Sequence, residues 1–569
     1  MKMEEDVKGY PSPSKNQKKK LKLSKNLSNS SFDSENLYRS DSDDDLERTV
    51  SSENSQFFGN NSENNLKYFQ GNNCGVIALS KNSSIYVFGA CRIQVLRGGV
   101  TAYGYNFHPG EKMYDIFSGR GTPRLFLTHT SYIDEINDDR IKVIIKKCGF
   151  NRNLYKEIVN NYLINEYAII CCYPIDNNWL KYIKKCVNVV LFPNESKLQV
   201  TFNSVPDENV LKVGKDWNEL TNYQENNQKV MICGGQGVGK STLLRYMINT
   251  FLNHHEKVYV IDLDPGQSEF TMAGCISIIC MENPIFGPNY ATLNETIRSI
   301  SHNIDVSFSP NHYIKSIQSL MKTYETLEKF PTLINMVGFQ KGLGLEITSS
   351  AIAVINPNIL IEIRSERPQK NYSRALVKTM VNEQFSLFLP NFEVNLSYDY
   401  ISITSVSDAT GFKPAGYLRR NISTISYFGR IVDEGLTLRS GSIPMFMINL
   451  DEITVIDKEY KSINTLNKED IINFNIVGLC SKEEGEGNIF NCYGYGIVRC
   501  VINNILYLIT PVKYEIIQKV THFIIGLVEL PNSMLDENEK NYFKPVPYFA
   551  NGCLHKSLEK PRRNYLPRK

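Results

Sequence analysis

Residues Gly234 to Ser241, Gly-Gly-Gln-Gly-Val-Gly-Lys-Ser, fit the pattern Gly-x-x-x-x-Gly-Lys-[Ser/Thr] in full. Gly234, Gly235, Gly237 and Gly239 let a backbone curl until successive N–H groups, with those of Gln236 and Val238 between them, face a phosphate. Lys240 adds positive charge for β- and γ-phosphate oxygens, and the Ser241 hydroxyl suits Mg²⁺. Thr242 extends the motif into the first turn of a helix, whose N-terminal dipole favours the same anion. These residue types in this order bind a nucleoside triphosphate. About twenty residues on, Asp262-Leu-Asp264-Pro-Gly-Gln267 places two carboxylates just ahead of a Pro-Gly turn. A carboxylate there can hold Mg²⁺ or take the proton of an attacking hydroxyl.

Both motifs need particular elements beneath them. Val230–Cys233 reads as a buried strand, and residues 241–253 as a helix with Leu244, Met247, Ile248 and Phe251 on its apolar face. Lys257–Ile261 reads as a second buried strand, delivering Asp262 and Asp264 to the sheet edge where ligands sit in parallel α/β folds. From residue 229, apolar strands alternate with helical segments, which predicts an α/β unit with a mostly parallel sheet. Glycine-punctuated β-branched runs predict a β-rich N-terminal domain over 71–205 and a second β-rich domain over 436–569. The α/β domain that carries the glycine-rich motif lies between them at 206–435. Residues 1–70, rich in Ser, Asn, Lys and Asp, read as a disordered tail. Lys18, Lys19, Lys20 and Lys22 form a run of nuclear-import type, and Asp41 and Asp43–Asp45 flank Ser40 and Ser42 as an acidic patch. Either can equally be ordinary solvated tail.

The chain has 569 residues, with 63 Lys and Arg against 60 Asp and Glu, a net charge of +3. That balance excludes a polycation, so nucleic-acid binding has to come from a local groove. The longest apolar runs have the length of core strands, too short to cross a bilayer, and the N-terminus has no secretory-signal pattern, so a soluble intracellular protein is expected. The 13 cysteines and 8 histidines are dispersed with no metal-ligand spacing, and Cys171 and Cys172 read as core filling.

The segment Asp262 to Ser277, DLDPGQSEFTMAGCIS, resembles the eukaryotic polynucleotide 5′-hydroxyl kinases of pre-ribosomal RNA processing. Their relatives in mRNA 3′-end formation and tRNA splicing lack the Glu-Phe-Thr that follows the Gln. Leu333 to Ile347, Leu418 to Phe428 and several segments of the flanking domains also resemble that family. The resemblance implies ATP and Mg²⁺ as cofactors, and RNA with a 5′-OH end as substrate. It further implies a HEPN-class pre-rRNA endonuclease as partner, nuclear and nucleolar residence, and no membrane association. Residue by residue, it makes Asp264 the carboxylate that activates or orients the 5′-hydroxyl, with Ser241 and Asp264 at the metal; Asp262 ranks second. Arg420 falls in the register of the family's lid arginine, and Arg419 is the fallback. Gln267, Ser309, Pro310, Asn335, Phe339 and Lys341 fall where the family approaches RNA. Phe339 stands where the family has Trp, and Met336 where it has Thr.

Three other functions fit parts of this pattern: a non-catalytic ATP-binding scaffold for an rRNA-processing endonuclease, the related kinase of mRNA 3′-end formation or tRNA splicing, and a GTPase-like switch. The last lacks a guanine-specificity motif in the α/β region, since the one Asn-Lys-x-Asp match, Asn467 to Asp470, lies in the C-terminal region.

Overall fold

The computed structural model describes residues 66–534, except 131–136, 165, 194–197, 199, 407–413, 433–434, 436–437, 439–442, 444, 464–467 and 486. The lysine run, the acidic patch and Asn467 lie outside the described residues.

Five strands make the parallel centre: Asp399–Thr404, Ile359–Arg364, Lys229–Gly234, Thr332–Asn335 and Val258–Asp262, in that spatial order. All but the edge strand Asp399–Thr404 are almost wholly buried, as strands covered on both faces must be; that edge strand is largely exposed. Their carboxyl ends meet along one edge, where the glycine loop and Asp262 emerge. Cys275–Met281 and Arg298–Ser301 continue the sheet antiparallel.

The C-terminal strands add to this sheet. Phe490–Ile502 joins it through the Ile300–Asn491 pair, and Ile476–Lys482, His522–Ile525 and Thr454–Ile456 follow. Arg298 fastens the join, donating to Asn491 Oδ1, the Ser319 carbonyl, Thr323 and Glu483 at 2.7–3.0 Å. The β-rich C-terminal region is therefore continuous with the central sheet.

The N-terminal region forms a second sheet around the 14-residue strand Ser84–Arg97, which pairs with Tyr114–Ser118, Phe126–His129, Tyr167–Pro174 and Val200–Asn203. Cys171 and Cys172 are buried in it. Cys74 and Cys148, by contrast, are joined as a disulfide, a pairing that 74 residues of separation conceal in the sequence. The inner face of this sheet shares one hydrophobic cluster with the helix that follows the glycine loop, Lys240–Phe251; Ile93, Phe107 and Ile116 pack in the same core as Leu244, Met247 and Phe251.

A tight turn at Tyr103-Gly104 makes the polar part of this contact. Tyr103, at φ +49°, donates its hydroxyl to the Thr242 carbonyl at 2.8 Å and accepts at its own carbonyl from Asn249 at 3.0 Å. Asn253 donates to the Gly104 carbonyl at 2.8 Å. Gly104 sits at φ +83°, and a Cβ there would lie 2.5 Å from Thr250 Oγ1. Gly104→Ala should cost about 1–2 kcal/mol from the left-handed backbone alone, and more from the clash. A lowered thermal midpoint with probes in the N-terminal sheet and in the central α/β domain moving together is the expected result.

Candidate functional site

The glycine loop is built for close approach. Gly234, Gly237 and Gly239 have φ of +145°, +74° and +110°, a region side chains rarely adopt. Open space lies in front of Gly237 and Gly239, whereas a Cβ on Gly235 would strike the Lys370 carbonyl. Gly239 caps the helix Lys240–Phe251, so the first-turn amides of Ser241 and Thr242 open toward the concavity. Behind it, the Ser405 hydroxyl fixes the Val238 carbonyl at 2.8 Å.

Lys240 is 8% exposed, and its Nζ donates to the carbonyls of Gly234 and Gly235 at 3.0 and 3.1 Å. Burial pulls the ammonium below the ordinary lysine range, opposed chiefly by Asp264. Gly338 lies against this Nζ and against Gln236, and any side chain at 338 would displace one of them.

The two aspartates differ sharply. Asp264 is only half-buried in the fold and accepts the amides of Gly266 and Gln267 on Oδ1 at 3.1 and 3.0 Å. Burial pushes its carboxyl upward, and Lys240 is the largest opposing influence. Asp262 is 1% exposed, and both of its oxygens are engaged by Asn335 Nδ2 and the Glu269 amide at 2.9 and 2.7 Å. Desolvation pushes it up to about 8 against those hydrogen bonds. Asp262 thus braces the strand end, and Asp264 faces the cleft. Ser241, next to Lys240 in the chain, and Asp264, which acts on Lys240, are hard oxygen donors of the kind that suits Mg²⁺ retaining part of its water shell.

Asn335, expected near the RNA, is 1% exposed and bound to Asp262, one layer behind the cleft. Phe339 is half-buried and Lys341 exposed on the loop beside Gly338, where both remain accessible. Ser309 and Pro310 open the helix Pro310–Glu325. Three residues on, the fully buried Tyr313 donates its hydroxyl to the Leu263 carbonyl at 2.6 Å, between the two aspartates. Nothing in the helical periodicity marks Tyr313, because its partner is brought near only by the tertiary fold.

The lid helix is Gly416–Gly429. Arg419 donates to Gln267 Oε1 at 3.0 Å and to the Pro414 carbonyl, while Arg420 packs beside Gly416 with Glu529 and Asp264 as its nearest anionic influences. Asp264 also acts on Arg419. Both arginines therefore stand over the Asp264 edge, and in this conformation Arg419 holds the tie to Gln267. An ion pair, Arg245 to Glu269 at 2.5 Å, is nearly dry and links the glycine-loop helix to the segment after Asp264. Sequence inspection missed Arg245 because it lies on a helix face that reads as surface.

Three stretches match described families. Residues 63–213 match the N-terminal domain of the polynucleotide 5′-hydroxyl-kinase NOL9, residues 234–392 the P-loop of the mRNA cleavage and polyadenylation factor CLP1, and residues 442–531 the NOL9-like C-terminal domain. The chain is similar to the polynucleotide 5′-hydroxyl-kinase NOL9 of Drosophila melanogaster, with 23% identity over 503 residues, covering 83% of this chain and 49% of that protein. The zebrafish (Danio rerio) protein of that name is 21% identical over 81% of this chain and 72% of its own, and the Arabidopsis thaliana protein 27% over 55% and 89%. Among solved structures, a chain of the wild-type Clp1p–Pcf11p complex aligns with TM-score 0.48 at 13% identity, covering 81% of this chain and 99% of that one.

The buried Asp262 generates a pH test. A carboxyl raised in the folded state keeps its proton between about pH 4 and 8 while the unfolded chain has lost it. Its contribution to stability therefore falls as pH rises through that window. Asp262→Asn should remove this slope, so that the variant gains on the parent between pH 5 and 8.5, as read by urea midpoints at each pH.

Proposed function

We propose, since this chain belongs to the NOL9-type family of polynucleotide 5′-hydroxyl kinases, that it transfers the γ-phosphate of ATP to the 5′-hydroxyl end of RNA. The observation that carries this reading is the convergence of Lys240, Asp264 and the lid arginines on one open edge of the sheet. Phosphoryl transfer needs little covalent chemistry from a protein; it needs in-line positioning and charge at the equatorial oxygens.

In the proposed step, the 5′-oxygen forms a bond to the γ-phosphorus as the bond to the ADP oxygen breaks, and Asp264 receives the hydroxyl proton. Its upward shift suits a proton acceptor that must also release the proton. Ser241 and Asp264 would hold Mg²⁺, which when bound neutralises phosphate charge. Lys240 leaves the loop carbonyls for the phosphates, and Arg420, with Arg419 beside it, closes from the lid. Phe339 and Lys341 supply a ring for a base and a charge for a phosphate near the acceptor.

The biological setting we propose is the 5′-OH end left by cleavage in a pre-rRNA internal spacer, with a HEPN-class endonuclease as partner and the nucleolus as site. This rests on the family and on the Glu-Phe-Thr after Gln267. Among the described residues no helix is long and apolar enough to cross a membrane.

The test is incubation with γ-labelled ATP and 5′-OH RNA, separating label on RNA from free phosphate. Lys240→Ala and Asp264→Asn should each lower transfer by about three orders of magnitude or more with the thermal midpoint nearly unchanged. Arg420→Ala should lower kcat about a thousandfold. Label appearing on RNA at the parent rate with Asp264→Asn would remove Asp264 as the base. Nucleotide binding without label on RNA would favour the ATP-binding scaffold. Arg419→Ala exceeding Arg420→Ala in effect would move the lid role to Arg419.

A further inference from the structure

A cavity of about 480 Å³ opens between the N-terminal sheet and the kinase region, away from the glycine loop. One wall comes from the N-terminal sheet, another from the residues opening helix Asn178–Cys186, and the third from the segment after strand Cys275–Met281. Its lining combines an aromatic face with donors, acceptors and cations. Trp179 is half-buried there, backed by Phe117 at 5.3 Å between ring centroids. Arg92 and Asp115 form a bidentate pair, a flat surface held by two hydrogen bonds. Lys112 reaches over the rim, and the side-chain amides of Asn177 and Asn283 complete it.

From this lining we infer a subsite for a base of the RNA strand downstream of the reacting 5′ end, an inference that rests on the kinase reading above. A π-face with adjacent cations is the general solution for binding single-stranded nucleic acid, and side-chain amides read base edges. A flat apolar peptide surface would not need the paired guanidinium, the lysine and two amides.

The lid helix ties this cavity to the reaction centre. Its first turn carries Arg419 and Arg420, and its last residue, Gly429, packs so closely on Trp179 that a Cβ would lie 3.1 Å from the Trp179 Cα. Asn178 also donates to the Val432 carbonyl just past the helix, at 3.3 Å. Nine residues separate Arg420 from Gly429 in the helix, about 14 Å, which is about four nucleotides at the ~3.4 Å rise of a stacked strand. A strand long enough to seat a base on Trp179 therefore touches the far end of the helix that bears the lid arginines.

The chain contains two tryptophans, and the other, Trp217, is 4% exposed, so emission quenching reports chiefly on Trp179. The experiment uses the full-length protein with 5′-OH oligonucleotides of two, three, four, six and eight nucleotides, ATP alone, and an acidic peptide. Quenching should be weak with the dinucleotide and ATP and should rise several-fold at about four nucleotides. The KM for the acceptor should drop at least fivefold across the same length step, with kcat changing less than twofold. Trp179→Ala should erase the KM step while leaving turnover of the dinucleotide at the parent rate; Trp179→Phe should restore most of the step. A length-independent KM, or a step that survives in Trp179→Ala, overturns the subsite. So does quenching by the acidic peptide in place of RNA, which would make the cavity a protein contact. Dinucleotide phosphorylation reports the kinase reading separately, and quenching reports strand binding even if no acceptor is phosphorylated.

Discussion

A buried ammonium and two aspartates, delivered by two different strands, meet at the carboxyl edge of the parallel sheet, and the rest of the architecture serves to keep that arrangement tolerable. Burying a charge costs several kcal/mol unless it is paired or hydrogen-bonded. Lys240 meets the cost with two loop carbonyls and Asp264. Asp262 avoids it by keeping its proton near neutral pH, braced by Asn335 and the Glu269 amide. Asp264 has only a turn of backbone amides and the lysine, which leaves it the group free to exchange partners. The asymmetry between two neighbouring aspartates is thus a matter of what each is bonded to.

Each flanking region contributes a fixed point to that strand end. The N-terminal sheet grips the glycine-loop helix through Tyr103, Asn249 and Asn253, so the cradle cannot tilt independently. The C-terminal strands extend the sheet, and Arg298 anchors them to helix Pro310–Glu325. That helix in turn places Tyr313 under the Leu263 carbonyl. Its opening turn is further packed by His312, which stacks on Tyr460 at 4.2 Å. A partner docking on the C-terminal strands would therefore press on the same helix that supports the aspartate segment.

The lid is where local and global constraints meet. Gly416–Gly429 has an amphipathic pattern, with Ile422, Ile425 and Phe428 buried and two adjacent arginines at its start. Adjacent helical residues point about 100° apart, so only one can face the cleft squarely at a time. Arg419 bonds Gln267 here, and Arg420 lies half-buried beside it. A sequence register can name the pair, but the choice between them depends on how the helix is rolled against the Tyr290 carbonyl and the backbone at residue 179.

The sequence alone determined the strand–glycine loop–helix unit, because every residue of Gly234 to Ser241 is constrained by local backbone geometry and phosphate chemistry. It likewise determined the alternation of buried strands and helices, which follows from hydrophobic period. The tertiary structure decided what depends on contacts between distant segments. Asn335 lies buried behind Asp262, Cys74 reaches Cys148, and Tyr313 and Arg245 support a site that their own neighbours in sequence do not suggest. The physical reason is the same in each case: burial and hydrogen-bond partner are properties of the packed chain, and one residue type takes opposite roles according to which of them it is given.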